Sequence, residues 1–162
     1  MRPSSLTWDE FTVRFGHVYE ASPWVAEAVW PHVQSGRLDT LEAMAEAMRE
    51  AVDEAPREVR LALIRAHPEL ASRARMADAS VREQSGAGLD QCSPQEFEAF
   101  QRFNAAYNAR FGFPFIVAVK GLSRADILER FEARLSNDAG TEFDTAIVQI
   151  HRIAGFRLAD LF

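Results

Sequence analysis

Lysine is almost absent from this sequence: Lys120 is the single one among 162 residues. Schiff-base chemistry through a lysine amine is thereby confined to one position, which weakens a pyridoxal-phosphate reading. Cysteine is as scarce. Cys92 stands alone and has no partner for an internal disulfide, which fits a reducing compartment. The longest apolar run, Phe113 to Val119, falls far short of a bilayer span and argues against a membrane protein. Basic charge is in deficit, with 18 Lys and Arg against 24 Asp and Glu, a formal net charge of −6 spread along the chain. Phosphate neutralisation needs a basic face, which argues against nucleic acid as the main partner. The same negative field repels an anionic metabolite, so a site for one needs its own local cation, and arginine is the abundant candidate.

The segment Met1 to Thr7 has no apolar signal-peptide stretch, and Asp160-Leu161-Phe162 is not the peroxisomal tripeptide. A soluble, cytoplasmic protein is the expectation. Apolar residues make up 48% of the chain, enough for a sizeable core, and there are no internal repeats, low-complexity tracts or linker. One compact domain spanning residues 1–162 is expected.

The periodicity is helical. Thr7-x-x-Glu10 has capping-box form ahead of Phe11, Phe15 and Val18. Ser22-Pro23 predicts a helix start, with Trp24, Val25, Ala28 and Val29 as its apolar face and Pro31 as its end. After a Ser35-Gly36 turn, a helix from about Asp39 carries Leu41, Met44, Ala45 and Met48. Pro56 opens another, with Val59, Leu63 and Ile64 inward, which stops at His67 because proline disfavours helical backbone in the residue before it. Ser93-Pro94-x-Glu96 starts a strong helix through Phe97, Phe100, Phe103, Asn104 and Tyr107, closed by Gly112. Ser123-x-x-Asp126 begins a helix through Ile127, Leu128, Phe131 and Leu135. Gly140-Thr141 begins the last, with Phe143, Ile147, Ile150, Ile153 and Ala154 inward. The fold class is all-α, with a short extended segment around 113–119.

Four features could carry chemistry, and each also has a purely structural explanation. His67, before Pro68, can satisfy the last carbonyls of a helix; the same dipole end and a neighbouring carboxylate would favour imidazolium and create a proton donor near neutral pH. Ser80-x-x-Glu83 can be a capping box, yet Gly86 and Gly88 follow closely and permit close approach of backbone to a small ligand, and Gln84 adds a second polar group. The run Phe113 to Val119 reads as core, but buried non-helical backbone needs partners, and a flat heterocycle with alternating N–H and C=O groups could supply some. Arg157, near the end of the last helix, is ordinary dipole compensation, although a planar guanidinium can also hold a carboxylate through paired hydrogen bonds.

Other readings are weaker. Val117-Ala118-Val119-Lys120 resembles the lysine strand of protein kinases, but the chain is too short and lacks the glycine loop, the catalytic loop and Asp-Phe-Gly. His67, Glu69 and Glu83 could hold a metal, although no His-x-x-x-His or Cys-x-x-Cys spacing supports one. Cys92 has no histidine near it in sequence to activate it, and His17, His32 and His151 fall in helical segments where structural or solvated roles are expected.

Three clusters recur in fixed order: Ala66-His67-Pro68-Glu69-Leu70, then Ser80-Val81-Arg82-Glu83-Gln84 with Ala87-Gly88-Leu89, then Asn104-x-x-Tyr107-x-x-x-Phe111-Gly112-Phe113-Pro114-Phe115-Ile116-Val117-Ala118-Val119-Lys120-Gly121. As a set they resemble the 2-oxo-4-hydroxy-4-carboxy-5-ureidoimidazoline (OHCU) decarboxylases, all-helical enzymes that complete the conversion of urate to (S)-allantoin. The resemblance covers nearly the whole chain. It implies a cofactor-free enzyme without metal, commonly a homodimer.

It further implies His67 as the acid–base group, Glu83 as its orienting carboxylate, and Arg157 as the holder of anionic or carbonyl oxygen. Ser80 and Gln84 would fix the ureido and ring edges, while Pro68 with the backbone of Phe115, Ile116, Val117, Ala118 and Val119 forms a wall that excludes water. Two alternatives stay open: a non-catalytic helical ligand-binding module with the same fold, and a related small-ring ureido decarboxylase or hydrolase.

Overall fold

The computed structural model describes residues 1–72 and 78–162, which contain eight α-helices and no strand. By backbone contacts the chain resolves into two compact units, Met1–Ala66 with Ile150–Phe162, and His67–Gln149. The first holds α1 (Trp8–Phe15), α2 (Trp24–Val33), α3 (Leu41–Asp53) and α4 (Arg57–Ala66). The second holds α5 (Asp78–Gly86), α6 (Pro94–Phe111) and α7 (Arg124–Arg134), and α8 (Ala139–Ala159) gives residues to both. Among the described residues no helix is long and apolar enough to cross a membrane.

In the first unit α1 packs on α2 and α2 on α3. The expected capping box opens α1: Glu10 N donates to Thr7 Oγ1 and Thr7 N to the Glu10 carboxylate. Behind it Phe11 and Phe15 are buried with their rings 4.8 Å apart. Met44, Met48, Leu63 and Ile64 are fully or almost fully buried, and each side chain of this size contributes about 1.5–3 kcal/mol by leaving water.

Four expectations shift here. Pro31 does not end α2; it sits inside the helix, which stops at Val33, within a turn of the missing donor. Ser22 does not cap α2, because its hydroxyl donates to Glu20 O. α3, expected from about Asp39, starts at Leu41 with Thr40 as its cap, while the Asp39 carboxylate accepts from Ser4 N and Ser4 Oγ at 2.8 and 2.6 Å. Ala28 and Val59 face outward, and Ala26 takes the buried place on α2.

In the second unit α6 packs on α7. Both start where the motifs predicted, and each start is a capping box, Ser93 with Glu96 and Ser123 with Asp126. Gly112 ends α6 at φ 75°, a left-handed cap that a β-carbon would strain. The chain then runs through residues 113–119 without helix or strand, every one of them buried. In α8, Phe143, Ile147, Ile150 and Ala154 are buried as expected, while Ile153 is half-buried.

Candidate active site

His67 is the first residue after α4, buried at the bend that Pro68 imposes. The loop that follows is held by amide side chains. Gln84 of α5 donates from Nε2 to Glu69 O at 3.2 Å and accepts from Ala71 N at 3.0 Å. Asn104 of α6 donates to Leu70 O at 2.9 Å, and Asn108, one turn on, donates to the Glu69 carboxylate. Ala71 sits at φ 53°, a left-handed conformation that L residues rarely adopt.

Ser80, Glu83 and Gln84 share one face of α5 through their three- and four-residue spacing; Ser80 and Gln84 are buried and Glu83 is half-buried. The capping-box explanation for Ser80 and Glu83 does not hold, since both lie inside α5. Gly88, at φ 78°, is approached by a protein group: Arg124 Nη1 donates to its carbonyl at 3.0 Å, and a β-carbon there would meet the same nitrogen at 2.8 Å.

The backbone of 113–119 finds partners that sequence reasoning missed. Ala118 N donates to Gln149 Oε1 at 3.0 Å, and Arg134 Nη1 donates to Ile116 O. The Arg134 guanidinium also lies over the Phe115 ring, 4.3 Å from its centroid, and Phe115 stacks on Phe131 at 3.9 Å. Arg134 in turn meets Glu142, a carboxylate with no solvent exposure that also accepts from Tyr107 Oη at 2.6 Å and Asn137 Nδ2 at 2.9 Å. One signal was available: Arg134 stands three residues after Phe131, on the core-facing side of α7.

Arg157 belongs to the first unit and is buried in the last turn of α8. Its Nη2 meets the buried Glu20 carboxylate at 2.8 Å, and Nη1 lies 3.4 Å from the carbonyls of His17 and Val18. Dipole compensation is therefore not its only electrostatic partner. His151, expected to be structural or solvated, bridges Tyr19 Oη at 2.8 Å and Asp53 Oδ1 at 2.9 Å. Cys92 Sγ contacts Leu89 O, and burial with nearby Glu96 pushes its thiol up, away from a reactive thiolate. An open cleft of about 410 Å³ in the first unit has Trp24, Val59, Leu63, Ser22 and Glu58 among its walls and none of the predicted site residues. Among the described residues no group of three or more His, Cys, Asp or Glu side chains could hold a metal ion.

A buried histidine at a proline bend, followed by an amide-clamped loop in an all-helical scaffold, defines a helical protein with an enclosed acid–base candidate. A profile of the OHCU decarboxylase family matches residues 4–159. The 2-oxo-4-hydroxy-4-carboxy-5-ureidoimidazoline decarboxylase of Haloferax volcanii is 44% identical over 155 residues, covering 95% of this chain and 90% of that one. The uric acid degradation bifunctional protein PucL of Bacillus subtilis is 42% identical over 153 residues, 93% of this chain and 30% of the larger protein.

Among solved structures, (S)-allantoin synthase superposes with a TM-score of 0.80 at 30% identity, over 98% of this chain and 52% of that one, so this chain spans about half of it. OHCU decarboxylase in the presence of (S)-allantoin superposes with a TM-score of 0.72 at 25% identity, over 96% of this chain and 99% of that one. This chain belongs to the OHCU decarboxylase family.

Proposed function

We propose that this protein decarboxylates OHCU to (S)-allantoin in urate breakdown, with His67 as the acid–base group and no cofactor. The observation that carries the reading is His67 itself, buried immediately before Pro68 in the Ala66-His67-Pro68-Glu69-Leu70 cluster that resembles the family, and followed by a loop tied to two helices. Decarboxylation leaves an electron pair on carbon, and OHCU can accept it. The leaving carboxylate is attached to a ring carbon that bears a hydroxyl and adjoins an unsaturated ring system, so charge delocalises into ring heteroatoms. The protein orients the carboxylate for departure, stabilises the delocalised charge and returns one proton to one face.

Within this reading His67 supplies that proton and Glu83 orients the imidazole and favours its charged form. Ser80 and Gln84 hold polar edges of the substrate, and Pro68 with Phe115 to Val119 forms the apolar wall. Arg157, supported by the family resemblance, is the candidate for anionic oxygen. The two units act as one domain, as a family match running across both supports. A homodimer in the cytoplasm is part of the same reading.

The test generates OHCU in place from urate and follows the chirality of the allantoin by circular dichroism, with and without this protein. Faster decay with an excess of the S enantiomer is expected. Racemic allantoin at the buffer rate would leave a non-catalytic module. Turnover of allantoin or another hydantoin in preference to OHCU would instead identify a related ureido enzyme.

A further inference from the structure

We propose that Asn104 and Asn108 are positioning residues for His67, acting through the loop that follows it. The inference rests on the acid–base reading of His67. The two asparagines are four residues apart on α6 and face the same way. Asn104 is 2% exposed, and its orientation is set by Leu70 O, which must face the amide NH₂. Among the described residues its buried Oδ1 has no hydrogen-bond partner. An apolar side chain would fill this place without stranding an acceptor, so what asparagine adds is the donor to Leu70 O.

Asn108 Nδ2 reaches the Glu69 carboxylate and also Asn104 O at 3.2 Å. Together with Gln84 these groups put four hydrogen bonds from two helices onto three consecutive residues, Glu69 to Ala71. One residue separates that clamp from His67, and it is Pro68, whose ring fixes φ. Ala71 is held at φ 53°, which requires surroundings that over-determine the backbone. The consequence is an imidazole whose backbone cannot drift while a proton is delivered to one face of a small ring.

A misplacement of order 1 Å can cost on the order of 10²-fold in rate. Asn108 is only part-buried, so Asn108→Ala is the first variant. Its kcat should fall by roughly 10- to 100-fold, with KM changed less than about threefold and lower enantiomeric excess. Asn108→Asp, which sets a carboxylate against Glu69, should do the same, and the double variant Glu69→Gln with Asn108→Asp should restore activity by returning an N–H···O contact. Asn104→Leu is the buried counterpart; if it does not fold, the Asn108 series decides.

A readout beyond turnover is the NMR signal of the His67 ring, assigned with His67→Ala, which should move in Asn108→Ala and return in the double variant. Wild-type kinetics and an unmoved ring signal in Asn108→Ala, with His67→Ala inactive, would overturn this inference and leave the decarboxylase reading intact. An active His67→Ala, or a racemic wild-type product, would overturn that reading and this inference with it.

Discussion

Arg134 Nε meets Glu142 Oε1 at 2.9 Å where the glutamate side chain has no solvent exposure. The pair is more than a charge contact, because Arg134 carries the carbonyl of Ile116 and Glu142 takes the Tyr107 hydroxyl. Removing one partner strands the other charge. Glu142→Ala should therefore lower stability by about 3–5 kcal/mol, measured by urea unfolding, whereas replacing the exposed Glu132 on α7 should change it by less than about 0.5 kcal/mol.

The chain has 2 tyrosines, Tyr19 and Tyr107, and both phenols are held well above their ordinary range. Burial is the main cause for each; for Tyr107 the Glu142 carboxylate adds to it. A raised folded pKa leaves its stabilisation intact below the unfolded value near ~10 and loses it as pH rises further. Ultraviolet titration should show no tyrosinate before alkaline unfolding. Above pH ~10 stability should fall by up to about 1.4 kcal/mol per pH unit for each tyrosine, since the unfolded chain releases protons that the folded one retains.

His67→Ala or His67→Asn should abolish accelerated, enantioselective allantoin formation with far-ultraviolet circular dichroism unchanged. General acid–base catalysis is worth roughly 10²- to 10⁴-fold, so the remaining rate should sit at or near the spontaneous one. Wild-type turnover by a folded His67→Ala protein would remove the assignment.

Glu83→Gln separates a structural from a catalytic carboxylate. It should lower kcat strongly with little change in melting temperature, because glutamine keeps the shape of the side chain and much of its hydrogen-bonding capacity at this half-buried position inside α5. On the proposed reading, the activity limb that reflects loss of the His67 proton should move to lower pH, because the variant would lack the negative charge proposed to favour imidazolium. Near-normal turnover with an unshifted profile would return Glu83 to the scaffold.

Dialysed, chelator-treated protein should keep full activity, with negligible metal by elemental analysis. A reproducible loss restored by one divalent ion would favour a metal site at His67, Glu69 and Glu83 instead.

Local chemistry made much of the fold legible. The helix starts at Thr7, Ser93 and Ser123 and the stop at Gly112 were all read from sequence, because each motif closes its hydrogen bonds within about four residues. His67 at a helix end was legible for the same reason, from Pro68 alone. Pairings between distant side chains were not legible. The Asp39 carboxylate, just ahead of α3, is taken by Ser4, 35 residues away.

The candidate site divides the same way. Sequence alone named His67, Glu83, Gln84 and Arg157, through motif and resemblance. Tertiary structure decided that Gln84 ties the Glu69–Ala71 backbone, that Asn104 holds Leu70 across 34 residues, and that Arg157 meets Glu20 across 137. Helical periodicity encodes which face of a segment is apolar, but it carries no information on which distant donor will meet which buried acceptor. That pairing exists only once packing has excluded water and left each polar group a small set of partners.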